Sequence, residues 1–180
     1  MKRRRLILIM LASILTIYTL FSLESFAAIK APELAISEWV NKDPGFLGNM
    51  RGKVVVIDFF QMWCPGCNSF SIPLMFHLEN KYKERDDIVF LSVHTVFEGY
   101  EYQTPDDLKE FVGEKGIKHP VGIDDYQEDY TTPITMRRYQ TGGTPCITII
   151  DKNGYLRFKK LGGFDKVEAE RLIDQLLIQR

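Results

Sequence analysis

The sequence Val54-Val55-Val56-Ile57-Asp58-Phe59-Phe60, followed two residues later by Trp63-Cys64-Pro65-Gly66-Cys67, decides the fold of this chain. β-Branched and aromatic residues dominate the first stretch, which predicts a strand buried on both faces. Residues 68–83 carry apolar side chains at helical spacing. The two cysteines are therefore predicted to lie where a buried strand passes into a helix.

This placement favours reversible dithiol chemistry. The free N–H groups and the positive dipole end of a helix stabilise an anion, so they favour the thiolate of Cys64. Pro65 suits the first helical position, where its missing N–H costs nothing, and Gly66 places no side chain beside the sulfur. Cys67 follows three residues after Cys64 on the same face, within disulfide reach.

Other uses of a Cys-x-x-Cys pair fit this sequence less well. A zinc site needs a second pair of ligands, and covalent haem attachment needs a histidine directly after Cys67, where Asn68 stands. A disulfide that closes so short a loop constrains the unfolded chain little, which makes a purely stabilising bridge a weak explanation. The prediction is a redox-active pair.

Asp58 interrupts the apolar strand with a carboxylate. Such a group is costly to bury unless it is paired or has a function. Burial would raise its pKa toward the range that is useful for proton transfer. The alternative is an aspartate that caps a local backbone turn at the end of the strand.

Residues 52–67 resemble the active-site segment of thioredoxin-like proteins, and most closely the TlpA/ResA-like extracytoplasmic thiol–disulfide oxidoreductases. The entry into the strand, Arg51 to Val56, is similar to that branch, and Gly143-Thr144-Pro145 is similar to its second signature. The resemblance covers the chain from about Ala31 onward. It implies an α/β, thioredoxin-like fold: a central mixed β-sheet flanked by helices, with a TlpA-type insertion over residues 100–139.

The resemblance also implies roles for the site residues. Cys64 forms a mixed disulfide with a partner, and Cys67 resolves it after passing its proton to Asp58. The peptide bond before Pro145 is cis and faces the cysteines; without the Cys-x-x-Cys pair, the same residues would indicate an ordinary turn. The implied substrate-binding residues are Trp63, Pro65, Gly66, Thr144 and Pro145. No metal or other cofactor is implied.

The N-terminus has the pattern of a secretory signal. A positive cluster precedes a mostly apolar run from Leu6 to Phe21, and Ser25-Phe26-Ala27 places small residues where a signal peptidase cleaves. We expect residues 1–27 to be a signal peptide cleaved after Ala27, with an uncleaved membrane anchor as the alternative. Residues 31–180 then form one domain in the periplasm or on the extracytoplasmic face of a bacterial membrane.

Composition limits the class of partner. The net charge is −1 at pH 7 and 45% of the residues are hydrophobic, which is typical of a globular domain and gives no reason to expect nucleic acid. The expected partners are protein thiols and disulfides together with a membrane redox protein. The chain is expected to be a monomer that contacts the membrane only through an N-terminal anchor.

Two other functions remain open at this stage. A peroxiredoxin-like thiol peroxidase would use Cys64 and Cys67, but Gln61 stands where peroxiredoxins carry a threonine. A copper(I) metallochaperone would use the same pair and Cys146. Cys146 itself is predicted to be a small buried residue, and the three histidines, His77, His94 and His119, are predicted to be structural or exposed.

Two helices are predicted with particular side-chain patterns. In the helix after the cysteines, a four-residue repeat predicts a buried face and Pro73 predicts a kink. The members of that repeat are Phe70, Leu74, Leu78 and Tyr82. Thr104, Pro105 and Asp107 form the start of a further helix, with Thr104 as its cap.

Overall fold

The structure is a computed structural model that describes residues 29–127 and 131–179. Six strands form a single sheet in the order β1-β4-β3-β2-β5-β6. The strands are β1 (Ile36–Val40), β2 (Val54–Phe60), β3 (Ile88–His94), β4 (Val121–Asp124), β5 (Cys146–Ile150) and β6 (Leu156–Leu161). The sheet is mixed, as predicted: β3 runs parallel to β2 and β4, whereas the β1–β4, β2–β5 and β5–β6 pairs are antiparallel.

Helices cover both faces of this sheet. They are α1 (Ile72–Tyr82), α2 (Pro105–Lys115), α3 (Ile134–Tyr139) and α4 (Lys166–Leu177). A π-helical segment, Cys67–Ser71, leads directly into α1, and 3₁₀ turns span Leu47–Met50 and Tyr100–Tyr102. The segment that contains α2, β4 and α3 corresponds to the predicted TlpA-type insertion, and its assignment as an insertion stays a prediction.

Strand β2 lies at the centre of the fold because all seven of its residues are buried. Its alternate side chains supply two separate cores. Val54 and Val56 pack with α1 and α4 on one face, while Ile57 and Phe59 pack on the other face with Tyr139 of α3. Phe60, at the end of β2, joins a third cluster with α2. A strand enclosed in this way has a fixed register, so its C-terminal end is a rigid platform for the residues that follow.

The helix after the cysteines differs from the prediction at its beginning. Ile72 N–H donates to the carbonyl of Cys67, five residues back, and Pro73 sits in the first turn of α1. Pro73 has no N–H, so it cannot form the bond that would continue a four-residue ladder, and the turn before it is a wider, π-helical one. The kink at Pro73 stays a prediction. Leu74, Leu78 and Tyr82 are buried as predicted, but the prediction for Phe70 was wrong, since it is 60% exposed.

Helix α2 begins as the sequence predicts. Thr104 accepts a hydrogen bond from Asp107 N–H, and Asp107 accepts one in return from Thr104 N–H, which completes a capping box. The helix ends at Lys115 and is capped by Gly116, whose φ of 71° suits glycine. These two ends fix the length of the helix that covers the active-site end of β2.

The predicted signal, residues 1–27, lies outside the described residues. Within residues 29–127 and 131–179, no helix is both long enough and apolar enough to cross a membrane.

Candidate active site

The redox motif lies at the carboxyl end of β2, where the chain turns into the π-helical segment. Cys64 and Cys67 form a disulfide with a Cα–Cα separation of 5.2 Å. Cys64 is partly exposed, whereas Cys67 is fully buried. Only the first sulfur is therefore open to a second molecule, and the second is placed to act within the protein.

A backbone N–H donates to the sulfur of Cys64. The N–H of Cys67 donates to Cys64 Sγ at 3.0 Å, and helical conformation begins at Pro65, as predicted. The side chain of Asn68 donates to the carbonyls of Met62 (2.7 Å) and Cys64 (3.2 Å), which holds the turn closed. A hydrogen bond to the sulfur from a helix N-terminus favours the thiolate form once the disulfide is reduced.

Asp58 is fully buried in β2, between Ser92 on β3 and Ile147 on β5. Burial raises the pKa of Asp58 from 3.8 to about 7, and the hydroxyl of Ser71 opposes this by donating to Oδ2 at 2.9 Å. Within the described residues, Oδ1 has no hydrogen-bond partner. The carboxyl group can therefore change its protonation state near neutral pH, and one of its oxygens is free to accept a proton.

The peptide bond between Thr144 and Pro145 is cis, as the resemblance implies. Pro145 is buried, and its carbonyl accepts a hydrogen bond from Gly162 N–H at 2.8 Å. A Cβ placed on Gly66 would lie 3.0 Å from Pro145 Cδ and 3.9 Å from Cys64 Sγ. The proline loop thus lies directly against the cysteine motif, although the two are far apart in the sequence.

 The strand order β2–β5 is what brings these two distant segments together.

A cleft of about 410 Å³ opens beside Cys64. Three of the predicted substrate-binding residues, Trp63, Pro65 and Thr144, line it. The other two, Gly66 and Pro145, approach each other closely but are not among its lining residues. Trp63 is 58% exposed, and its ring stacks on Tyr102 with centroids 5.0 Å apart. The remaining lining residues are Gln61, Phe97, Glu98, Gly99 and Gln103.

Gln103 is a site residue that sequence reasoning missed. Its Oε1 accepts from Met62 N–H at 3.1 Å, and its Nε2 donates to Gln61 Oε1 at 3.0 Å and to the carbonyl of Glu98 at 2.9 Å. One buried amide thus joins the turn before the cysteines to the opposite wall of the cleft. The only signal in the sequence is its place just before the cap of α2, which says nothing about what its side chain contacts.

The three histidines occupy structural positions, as predicted. His94 is buried with Nε2 3.4 Å from Gln103 Oε1, and burial lowers its pKa to about 4, so it is neutral at physiological pH. His77 Nε2 lies 2.5 Å from Glu170 Oε1. His119 is buried, with Nε2 2.7 Å from Ser92 Oγ.

Cys146 is a buried free thiol at the start of β5, as predicted. It is the register partner of Phe59, and it packs in the cluster that contains Phe59 rather than in the one that contains Cys67. Burial raises the pKa of Cys146 to about 11. A thiol that faces the other side of the sheet is poorly placed to share a copper ion with the Cys64–Cys67 pair.

The profile of the family described as Redoxin matches residues 30–177. The chain belongs to the redoxin family. The recognition made from the sequence, a thioredoxin-like protein of the TlpA/ResA-like kind, is confirmed by this match and by the relatives below.

Two named proteins are similar to this chain over most of its length. The chain is 28% identical to the thiol-disulfide oxidoreductase ResA of Bacillus thuringiensis over 148 residues, which cover 82% of this chain and 76% of ResA. It is 30% identical to the protein DipZ of Mycobacterium bovis over 151 residues, which cover 82% of this chain but only 20% of DipZ. The chain therefore spans about one fifth of the DipZ relatives that it matches.

A solved structure supports the fold. The crystal structure of a thiol-disulfide isomerase from Corynebacterium glutamicum has a TM-score of 0.76 and 36% identity, with 83% of this chain and 98% of that chain covered. The predicted α/β, thioredoxin-like fold is confirmed. Thiol–disulfide oxidoreductase, the enzyme class expected from the sequence, is the class in the name of ResA, and the Corynebacterium protein is named a thiol-disulfide isomerase.

Proposed function

We propose that this chain is an extracytoplasmic thiol–disulfide oxidoreductase that acts on protein thiols and disulfides. The observation that carries the proposal is the Cys64–Cys67 disulfide, in which Cys64 is partly exposed at a helix N-terminus and Cys67 is buried. The family match and the named relatives support the same chemistry.

The reaction needs only the two sulfurs and a proton acceptor. In the reducing direction, the Cys64 thiolate attacks a partner disulfide, a Cys64–partner bond forms, and the other partner sulfur leaves as a thiolate that takes up a proton. Cys67 then loses its proton and attacks the Cys64 sulfur, which forms the Cys64–Cys67 disulfide and releases the second partner thiolate. Two electrons pass from the pair to the partner, and the reverse sequence oxidises a partner dithiol.

Asp58 accepts the proton of Cys67 in this scheme. Cys67 is 0% exposed, so bulk water has poor access to its thiol. Asp58 is equally buried, its pKa is raised to about 7, and its Oδ1 is open. A base with a pKa near the working pH is the most effective acceptor, because it is ionised often enough and still binds the proton well.

The partner chain binds across the cis-proline loop. Thr144 is partly exposed beside Cys64, so its backbone can pair with an extended segment of the partner while the mixed disulfide exists. Trp63 and Pro65 provide exposed apolar surface on one side of the sulfur. Gly66 and Pro145 keep the loop and the motif in close contact.

The proposed location is outside the cytoplasm, in the periplasm or on the outer face of the membrane. The support is the signal-like pattern of residues 1–27 and the oxidising environment in which protein disulfides persist. A membrane redox protein is the proposed source or acceptor of electrons, and the domain is proposed to work as a monomer.

Trapping of the mixed disulfide tests the proposal. In a Cys146→Ala background, which leaves only the motif cysteines, Cys67→Ser should accumulate a mixed disulfide through Cys64 with a model protein disulfide. The matched variant Cys64→Ser should accumulate none, because the buried Cys67 cannot reach a partner. Non-reducing gels and peptide mass spectrometry read out the adducts, and equal trapping by both variants would contradict the scheme.

A further inference from the structure

The hydroxyl of Ser71 lies against Asp58 beneath the redox pair. Ser71 Oγ donates to Asp58 Oδ2 at 2.9 Å, and both side chains are buried, with 2% and 0% exposure. Asp58 Oδ1 has no hydrogen-bond partner within the part of the chain that the structure describes. One oxygen of the carboxyl group is therefore held in place while the other stays open.

The π-helical segment is what turns this hydroxyl inward. It places Cys67 and Ser71 in the interior and Phe70, between them, at the surface with 60% exposure. The segment is held by the bond from Ile72 N–H to the Cys67 carbonyl, and it is followed by Pro73, which has no N–H. Single π-turns of this kind recur at functional sites. Here the turn presents the resolving thiol and the Ser71 hydroxyl to the same side of the sheet.

We propose that Ser71 is a positioning residue for the proton acceptor: its hydroxyl fixes Asp58 through Oδ2, favours the ionised form, and leaves Oδ1 to receive the proton of Cys67. This inference rests on the proposed role of Asp58. A donor to a carboxylate stabilises the anion, whereas burial destabilises it. The serine therefore sets the pH at which a deeply buried base becomes available.

The surroundings of Asp58 leave Ser71 as the polar group that acts on it directly. The pKa of Asp58 is raised by burial and lowered by Ser71. Ser92, its neighbour on β3, is hydrogen-bonded to a histidine, and α4 contributes apolar side chains to this face. Titratable groups on the surrounding elements include Cys67 in the π-helical segment, His77, Glu79, Lys81 and Tyr82 on α1, His94 on β3, His119 before β4, Cys146 on β5, Lys159 and Lys160 on β6, and Glu170 and Asp174 on α4.

The resolving step can be followed by itself. Reduced protein in the Cys146→Ala background is mixed with one equivalent of 5,5′-dithiobis(2-nitrobenzoate), which couples to Cys64 and releases one thionitrobenzoate. Attack by Cys67 releases the second, and its rate is recorded by stopped flow from pH 5 to 10. Ser71→Ala should move the midpoint of this rate profile upward by about one to two pH units, the size expected for a hydrogen bond to a charged group.

Matched variants separate positioning from packing. Ser71→Thr keeps a hydroxyl and should keep the wild-type midpoint. Ser71→Val has nearly the shape of that threonine but no hydroxyl, so it should behave as Ser71→Ala does. Ser69→Ala, at an exposed serine of the same segment, should leave the profile unchanged. In an Asp58→Asn background, Ser71→Ala should have no further effect, because the group that it acts on is absent.

The outcomes distinguish the two proposals. If Asp58→Asn leaves the profile as it is, the proposed role of Asp58 fails, and the inference fails with it. If Asp58→Asn slows the step but Ser71→Ala and Ser71→Val keep the wild-type midpoint, only the inference about Ser71 is overturned. A uniform loss of rate at every pH, without a shifted midpoint, would make Ser71 a packing residue and would equally overturn it.

Discussion

Gly66 lies where the cysteine motif touches the proline loop. Its φ of −64° and ψ of −37° are ordinary helical values, so the backbone conformation does not require glycine. The lack of space at this position does require glycine, because an added Cβ would lie 3.0 Å from Pro145 Cδ. The residue between the two cysteines thus controls how closely the loop approaches the reactive sulfur.

We expect Gly66→Ala to slow exchange with protein disulfides without any gain in stability. Alanine in place of a helical glycine stabilises by about 1 kcal/mol, but crowding a close contact costs about 1–3 kcal/mol, so the crowding at least cancels the gain. Gly113→Ala in α2 is the control: its added Cβ meets nothing within 4 Å, so it should stabilise by about 0.5–1 kcal/mol. Urea unfolding measures the stability of both variants, and disulfide-reductase turnover measures their exchange with protein disulfides. Equal stabilisation at both positions with normal turnover would refute the steric role of Gly66.

Asp58 should make the folded state less stable as the pH rises. Its pKa is raised from 3.8 to about 7 in the folded protein, so between these values the folded state holds a proton that the unfolded state has lost. The contribution of Asp58 to the free energy of unfolding is fully present below about pH 4. It decreases until about pH 7, by on the order of 4 kcal/mol for a pKa shift of this size. In the oxidised protein, Asp58→Asn should remove this fall.

A second aspartate with the opposite behaviour provides the control for that measurement. The pKa of Asp87 is lowered by Arg85 and Lys152, so its stabilising effect is present above its ordinary pKa and is lost only as the pH falls into the acid range. Asp87→Asn should therefore leave the slope between pH 4 and 7 unchanged. Urea unfolding at a series of pH values gives both slopes, and an unchanged slope in Asp58→Asn would show that burial does not raise the pKa of Asp58.

At the scale of elements, local patterns predicted most of what positions the site. The apolar run of β2 predicted a strand buried on both faces, and the residues from Thr104 to Asp107 predicted the beginning of α2. Both signals are local, since strand burial follows from side-chain composition and a cap follows from residues three positions apart. The contact between the cis-proline loop and the motif was predicted from the family resemblance alone, because no local pattern specifies it.

The π-helical segment is where local reasoning failed. A regular four-residue repeat places Phe70 inside, but the wider turn moves it to the surface and buries Ser71 instead. Pro73 was visible in the sequence, yet a proline is compatible with either a kink or a widened turn. Gln103 was missed for a related reason, since its contacts with Gln61 and Met62 join segments that only the completed fold brings together.

At the scale of the whole molecule, the sheet gathers the site from three distant parts of the chain. Strand β2 carries Asp58 and leads into the cysteines, β5 follows the cis-proline loop, and the segment before α2 supplies the far wall of the cleft. Because β2 and β5 are hydrogen-bonded neighbours, the segments at their ends, the cysteine motif and the cis-proline loop, lie side by side.

Two backbone hydrogen bonds fasten residues that follow the predicted cleavage site to the sheet. The carbonyl of Ile29 accepts a hydrogen bond from Leu156 N–H at 2.8 Å, and Ala31 N–H donates to the carbonyl of Gly154 at 3.0 Å. Cleavage after Ala27 would leave both bonds intact, so export and processing would not disturb the sheet. A chain cleaved at this position would therefore keep these two bonds to the β5–β6 hairpin.

We expect the full chain, expressed in a bacterium, to be recovered outside the cytoplasm with the mass of a chain that starts at Ala28. A small residue at position 27 is needed for cleavage, so Ala27→Lys should yield exported protein of full mass that stays with the membrane. The chain made without residues 1–27 should melt at the same temperature as the processed protein, because it keeps the bonds of Ile29 and Ala31. Cell fractionation, intact mass and thermal unfolding give the three readings. Exported wild type of full mass would indicate an uncleaved anchor, and full-mass protein in the cytoplasm would contradict the proposed location.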